Sequence, residues 1–351
     1  MSKKVFVGMS GGVDSSVTAA LLQEQGYDVT GVYMKNWSQD LPGMKCPWQE
    51  DYQDAKRVAV QLGIPFKMYD FETEYRAKVV DYMLEGYRAG RTPNPDIMCN
   101  QEVKFKLFLN AAQEDGADMI ATGHYARVQD GKLLAGLDHK KDQSYFLYRV
   151  TEDALQHTFM PIGEYEKPQV REIAAKLGLS TASKKDSQGI CFVGKVGIKD
   201  FLLHELGEQE HGKIVDQHGS VIGEHDGALF YTIGQRHGLS VGGGLPYYVY
   251  GKDMDKNEVY VTTDLQDENL WHRTLKLTDI HWINGEPAVA DCSGLTVRSR
   301  YRAPLVKITS LDKDEDAIWN LGLSEDIRAI TPGQSAVIYR GDHVLGGGIV
   351  I

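Results

Sequence analysis

Apolar and polar positions alternate in blocks along the first third of the chain. Residues 3–9 (KKVFVGM) form a short apolar run of the length of a buried strand. Residues 15–25 carry the apolar spacing of a helix, and Gly26 supplies its stop. A second strand is predicted over 28–34, a helix over 50–62 closed by Gly63, and a third strand over 65–71. A long helix follows over 72–88, then a Pro/Asn-rich loop (RTPNPDIMCN, 91–100), a helix over 102–114 and a strand over 118–122. Strands that alternate with helices of this length predict an α/β doubly wound parallel sheet. Ligands of such sheets sit at the carboxyl ends of the strands.

The pattern changes after about residue 137. Stretches 141–155 and 167–177 read as helical, with loops between them. From about His211 onward, Gly-rich turns separate short β-branched and aromatic runs, which is an all-β pattern. Boundaries near 200 and 270 divide the chain into an N-terminal domain (1–200), a small middle domain (201–270) and a C-terminal β-barrel (271–351). No fixed-period repeat or low-complexity tract interrupts this order.

Composition narrows the class without naming a chemistry. Of 351 residues, 42% are apolar, which is ample for two or three packed cores. No apolar run reaches the roughly 18 residues of a membrane span. The N-terminus runs straight into a strand, with no signal-peptide succession of charged, apolar and small residues, so a cytoplasmic protein with no membrane partner is expected. Against 49 acidic residues stand 38 Lys and Arg, a net charge of −11 that argues against a non-specific nucleic-acid coat. A local basic face remains open, because 295–307 carries Arg298, Arg300, Arg302 and Lys307 and no acid. Cysteines at 46, 99, 191 and 292 show no paired spacing, which speaks against structural zinc and against a disulfide framework.

Residues 8–16 (GMSGGVDSS) join the first strand to the first helix. A tight turn with Asp14 or Ser15 as a cap would explain a bare SGG. The GxGxxG spacing of a dinucleotide loop is absent, and so is the lysine of a Walker loop. A phosphate cradle accounts for the rest: glycines let backbone N–H groups approach an anion, the helix start adds the positive end of a dipole, serines add donors, and Asp14 offers a carboxylate to Mg²⁺. SGGVDSS in this strand-to-helix setting resembles the PP-loop of the ATP pyrophosphatases, which cleave ATP between the α and β phosphates and activate a carbonyl oxygen as an adenylate.

Two cysteines stand in loops rich in Pro, Asn, Asp or Gly, where functional residues concentrate. Cys99 precedes the helix expected from 102, with Lys104 and Lys106 nearby, a setting that favours the thiolate. Cys191 follows Lys184 and Lys185 in SKKDSQGICFVG. Cys46 and Cys292 lack such company and read as structural.

Taken in order, SGGVDSS, GVYMKNW (31–37), TPNPDIMCNQEVKF (92–105), ATGHYA (121–126), KDQSYFL (141–147), DSQGICFVG (186–194) and TIGQRHGL (232–239) resemble the tRNA-specific 2-thiouridylases. VRSRYRA (297–303) and TPGQSAV (331–337) extend the likeness more weakly into the C-terminal third, so that it covers essentially the whole chain. The resemblance implies that sulfur replaces the C2 oxygen of the wobble uridine in a tRNA anticodon loop. It implies ATP and Mg²⁺, with Gly8, Met9, Ser10, Gly11, Gly12, Val13, Asp14 and Ser15 gripping phosphate and Met34 and Gly123 lining the adenosine site. Cys191 matches the persulfide carrier, loaded by a cysteine desulfurase or relay protein. Cys99 matches the second thiol, which either releases hydrosulfide or resolves the mixed disulfide, and both routes end in a Cys99–Cys191 disulfide. Asp96 is the carboxylate placed to take the uridine N3 proton. Asn94, Pro95 and Asp96 match contacts to the target base. His124, Lys141, Asp142, Gln143, Arg300, Tyr301 and Gln334 match contacts to the tRNA. On their own, His124 reads as a satisfied loop histidine and Lys140-Lys141 as a solvated pair, whereas Arg298, Arg300 and Arg302 would share one face of a strand and make a phosphate patch. Another PP-loop synthetase acting on a small molecule, or an RNA-binding protein that senses ATP, would explain the loop but not the two cysteines.

Overall fold

The computed structural model of the chain describes residues 2–41, 43, 45–185, 197–239, 241–242, 244–287 and 292–351. Five strands build the N-terminal sheet: β1 (Lys4–Gly8), β2 (Asp28–Lys35), β3 (Phe66–Asp70), β4 (Met119–Ala121) and β7 (Thr158–Phe159). Their order is β3-β2-β1-β4-β7, and each neighbouring pair is parallel. Val5 and Val7 are fully buried, as expected of a parallel strand covered on both faces. Helix α1 (Val13–Glu24) is buried along one continuous run from Ser15 to Leu22, because α2 (Trp48–Leu62) and α6 (Lys167–Lys176) also pack against it. The chain leaves β1 toward β2 but returns past β1 to lay down β4. The crevice of the sheet therefore opens between the carboxyl ends of β1 and β4.

Two long helices cover the other face. Helix α3 spans 72–88 and α4 spans 95–114, each with a central stretch wound in the wider π geometry (Arg76–Val80 and Cys99–Leu107). Helix α4 begins seven residues earlier than the apolar pattern suggested. Asn94 Oδ1 accepts from the Asp96 N–H at 3.2 Å, and Pro95 occupies the first helical position, where its missing N–H costs nothing. Cys99 consequently lies within the helix and is 3% exposed, rather than in a loop before it.

The stretch 141–155 is not one helix. It holds a 3₁₀ turn (Ser144–Leu147) and a short helix α5 (Glu152–Gln156). The Asp142 carboxylate accepts from the N–H groups of Gly136 and Ser144 at 3.1 Å each and from the Ser144 hydroxyl at 3.1 Å, so the chain here is tied to side chains instead of to a helical ladder. A hairpin of β5 (Ala126–Gln129) and β6 (Lys132–Ala135), which the sequence pattern did not separate, leaves the N-terminal domain to join the C-terminal sheet.

Helix α7 (Ile198–Leu206) leads into a four-stranded middle sheet, β10-β11-β8-β9, formed by β8 (Gly212–Asp216), β9 (Val221–His225), β10 (Tyr248–Asp253) and β11 (Glu258–Thr262). Strands β12 (Trp271–Trp282), β13 (Leu295–Arg298), β14 (Val306–Lys313), β15 (Trp319–Arg328), β16 (Ser335–Arg340) and β17 (His343–Val350) close into a barrel, because β12 pairs with both β15 and β17. Trp319, Leu321, Leu277, Val297 and Ile338 fill it. Strand β17 pairs beyond the barrel with β6, at His343–Leu134 and Val344–Leu133. Among the described residues, no helix is long and apolar enough to cross a membrane.

The basic strand expected near 300 is absent in that form. Strand β13 ends at Arg298, and Arg302 sits at φ +62° in a turn, so the three arginines do not share a face. Arg298 instead reaches the N-terminal domain and donates to Asp142 Oδ2 at 3.0 Å, with side-chain exposures of 17% and 4%. Tyr145 OH donates to the Ser335 carbonyl at 2.8 Å, and Tyr148 OH and Ser335 Oγ lie 3.1 Å apart across the same seam. Removing one member of a buried pair strands the other charge, at a cost of about 3–5 kcal/mol. Arg298→Met is therefore expected to lower the melting temperature by several degrees. The Arg298→Met/Asp142→Asn double variant should lose less than the sum of the two single changes, as read by differential scanning calorimetry.

Candidate active site

The loop after β1 is folded on itself by its serines. Ser10 N donates to Ser15 Oγ at 3.2 Å, while Ser15 Oγ and Ser16 Oγ donate to the Gly12 carbonyl at 3.2 and 2.8 Å. Gly11 sits at φ +75°, and a Cβ there would overlap the backbone carbonyl of Asp51 at the start of α2. Met9 and Val13 are 1% and 2% exposed and anchor the loop in the core, so only their backbone is available to a ligand. Gly12 caps α1 in extended conformation without any side-chain cap. The loop thus ends on an uncapped helix N-terminus, with small residues and hydroxyls around it, which suits an anion.

Asp14 is not a bare carboxylate. Lys167 Nζ donates to its two oxygens at 2.7 and 2.8 Å, and Tyr125 OH donates to Oδ1 at 2.9 Å. Among the described residues, no group of three His, Cys, Asp or Glu side chains is placed to hold a metal ion. The residues present therefore form no metal cage of their own. Lys167 escaped the sequence reading, yet it carried a signal: a lysine at the first position of a helix opposes the dipole and needs another reason to be there.

Met34 and Gly123 converge on this loop. A Cβ on Gly8 would lie 2.9 Å from Met34 Cε, and one on Gly123 would lie 2.8 Å from the Ser15 nitrogen. The chain after β4 thus passes against the first turn of α1 with room for no side chain. The next residue turns the other way. His124 is buried, with Nε2 3.4 Å from Lys104 Nζ and Nδ1 2.8 Å from Thr122 Oγ1. An ammonium group only donates, so Nε2 accepts and Nδ1 carries the proton toward Thr122. Burial, helped by the Lys104 charge, holds the His124 pKa well below its ordinary value, so the ring is neutral.

Lys104 belongs to α4, the helix of Asp96 and Cys99. Lys104 lies within its π-wound stretch, Cys99–Leu107, about one turn beyond Cys99. Lys106, which the sequence placed beside the thiol, instead pairs with Glu102 at 3.1 Å, together with Lys78 at 2.9 Å. Burial raises the Asp96 pKa above the usual carboxylate range, and the Lys104 cation opposes that rise. A carboxylate of this kind is poised to take up a proton.

The loop before α4 is where all three parts of the chain meet. Thr92 N donates to the Pro332 carbonyl at 2.9 Å, and Gln334 Nε2 donates to the Thr92 carbonyl at 2.8 Å. Thr92 Oγ1 lies 3.3 Å from Thr232 Oγ1 of the middle domain. Gln334 is thereby fixed to the chain two residues before Asn94. Gln143 Oε1 accepts from Tyr125 N at 3.0 Å, and Lys141 is partly exposed next to it. Tyr301 packs on Phe146 at 4.5 Å between ring centroids, with the Arg302 guanidinium over its ring at 5.0 Å. Three of the predicted contact residues face inward, the buried His124 described above among them. Asp142 is the buried partner of Arg298 described above. Arg300 donates to the carbonyls of Ile233 and Ala329 and to Thr331 Oγ1, and its burial lowers its pKa. Cys191 lies outside the described residues.

Comparison with known proteins gives matches along the whole chain. The family described as tRNA methyl transferase HUP domain matches residues 3–195, the tRNA methyl transferase PRC-barrel domain matches 199–263, and the Aminomethyltransferase beta-barrel domain matches 272–350. The chain is 48% identical over 354 residues to the tRNA-specific 2-thiouridylase MnmA of Listeria monocytogenes serotype 4a (strain HCC23), covering 99% of this chain and 94% of that protein. It is 48% identical over 352 residues to the protein of the same name from Bacillus thuringiensis (strain Al Hakam), again covering 99% and 94%. Among solved structures, a 4-thiouridine synthetase–RNA complex with bound ATP is similar at a TM-score of 0.39 and 18% identity, over 58% of this chain and 50% of that one.

Gly123→Ala should push the first turn of α1 away from the β4 side of the crevice. Nucleotide affinity, read by titration calorimetry, is expected to fall about tenfold or more, the scale of one displaced anion contact. Gly242→Ala, at a site with nothing within 4 Å, should leave it unchanged.

Proposed function

This chain belongs to the tRNA-specific 2-thiouridylase family, and from that premise we propose how its own residues carry out the reaction. The carrying observation is the four-residue segment 122–125. It touches Asp14 and Ser15 of the loop on one side and Lys104 of the Asp96–Cys99 helix on the other. A phosphate group in the loop and a base beside Asp96 would therefore share one crevice.

ATP lies with its phosphates on the backbone of residues 8–15 and its adenosine against Met34 and Gly123. Mg²⁺ would be held by Asp14 together with phosphate oxygens of the nucleotide, and would neutralise charge on the leaving pyrophosphate. The wobble uridine is turned out of the anticodon loop onto Asn94, Pro95 and Asp96. Its C2 oxygen attacks the α-phosphorus, pyrophosphate leaves, and Asp96 takes the N3 proton. The adenylated base then exchanges AMP for sulfur at C2.

Sulfur arrives as a persulfide on Cys191, delivered by a persulfide-carrying donor protein. In one route the Cys99 thiolate attacks Cys191 Sγ and expels hydrosulfide, which displaces AMP. In the other, the terminal persulfide sulfur displaces AMP and Cys99 then cleaves the mixed disulfide. Each route leaves 2-thiouridine, AMP and a Cys99–Cys191 disulfide for an external thiol to reduce. The tRNA contacts are assigned to Lys141, Gln143, Tyr301 and Gln334, with the buried His124 holding Lys104 behind them. Asp142 and Arg300 act behind them by fixing their loops.

The deciding experiment incubates the protein with ATP, unmodified tRNA and sulfide. AMP, pyrophosphate and 2-thiouridine in equal amounts are expected, whereas ADP with inorganic phosphate would overturn the reading. Asp96→Asn should slow AMP release about a hundredfold or more. Because the Asp96 pKa is raised, protonation disarms it at a higher pH than an exposed carboxylate. The wild-type rate should accordingly fall on the acid side at a pH above the usual carboxylate range.

A further inference from the structure

The last described residues before Cys191 are clasped to the nucleotide loop from three sides. Thr181 Oγ1 donates to Ser16 Oγ at 3.0 Å, in the first turn of α1. Arg171 of α6, one turn beyond Lys167, donates through NH1 to the carbonyls of Ala182 and Lys184 at 3.0 and 3.1 Å, and through NH2 to the latter at 3.2 Å. Lys184 Nζ then bridges Asp51 Oδ1 and Asp54 Oδ2 on α2, at 2.7 Å each. Asp51 is the residue whose carbonyl meets Gly11. Burial weighs against the Lys184 charge, but the hydrogen bonds to both carboxylates outweigh it and raise the pKa. The ammonium group therefore stays charged at neutral pH.

We propose that Lys184, with Arg171, is a positioning clasp that fixes the departure point of the sulfur-carrying segment against the nucleotide loop. The inference rests on the reading of Cys191 as the sulfur carrier. Cys191 is seven residues beyond Lys184. At full extension its Cα lies no more than about 25 Å from that anchor. Were Lys184 and Arg171 released, the next anchor back would be Thr181, still held by Ser16 and ten residues from Cys191. The effective concentration of a tethered group falls roughly as the −3/2 power of tether length, a loss of less than about twofold for that change, so the larger effect comes from lost direction. The clasp bonds to α2 and to the 182–184 backbone. Its effect should be confined to sulfur that travels on the protein.

The test compares two sulfur sources for the full-length protein with ATP and unmodified tRNA. One is free sulfide, and the other is a persulfide-loaded donor protein. In Lys184→Met, and independently in the Asp51→Asn/Asp54→Asn double variant, the ratio of donor-supported to sulfide-supported 2-thiouridine formation should fall at least fivefold. The sulfide-supported rate should stay within about twofold of wild type, and Lys184→Arg should restore the ratio. Equal loss with both sources would make Lys184 a phosphate contact or a folding residue and overturn the clasp, as would an unchanged ratio. Wild type that forms no 2-thiouridine from either source would overturn the underlying reading as well, which separates the two failures.

Discussion

The constraint on which the site depends is the passage of Gly123 over the first turn of α1. At this point two strands that are neighbours in the sheet, β1 and β4, send their outgoing chains toward each other. Nothing larger than hydrogen fits between Gly123 and Ser15. The contact closes the switch point of the doubly wound sheet and makes it a single crevice. The residues either side of Gly123 exploit that closeness. Tyr125 and Lys167 secure Asp14, and His124 engages Lys104 on the helix that carries the thiol. A neutral imidazole is the form that suits this position, since a second cation beside Lys104 would repel it in a buried setting.

The barrel and the middle domain complete that crevice through a few long-range contacts. The Thr92 backbone is gripped on both sides by the loop of Pro332 and Gln334, and Thr232 stands against its hydroxyl. The helix start that follows therefore has its position set by residues more than 200 positions away in the chain. Arg300 extends the same arrangement by tying the β13–β14 turn to Ile233. Chain elements that would otherwise move independently are joined where the proposed target base binds.

How much of this could be read from the sequence depended on range. The strand–loop–helix around SGGVDSS was legible because every residue that matters lies within nine positions and the chemistry of each is distinct. The order of strands and helices up to residue 122 was legible for the same reason. Lys167 was missed because its partner, Asp14, is 153 residues away. The helix start at Pro95 was hidden by a Pro/Asn-rich composition that reads as a loop until Asn94 is seen as its cap. Residues 141–155 have a helical look, but Asp142 diverts the backbone N–H groups it needs. The arginines near 300 looked like an exposed stripe because alternation in sequence implies a strand that in fact stops at Arg298.

That last misreading bears on how an acidic protein engages a polyanion. With a net charge of −11, the chain gains little from long-range attraction to phosphate. Two of the three arginines in the basic segment are already committed, one to a carboxylate and one to carbonyls. Each is thereby removed from any uniform phosphate-binding surface. Around the crevice stand the partly exposed Gln334, Lys141, Phe146 and Tyr301 together with the exposed cations Arg91, Lys140 and Arg302, the last over the Tyr301 ring. Amides and aromatic faces suit unpaired bases, which offer edges and π surfaces, more than they suit a duplex backbone. The proposed substrate suits such a surface: stacking and hydrogen-bonding groups interleaved with a few cations favour a loop with splayed bases over double-stranded RNA.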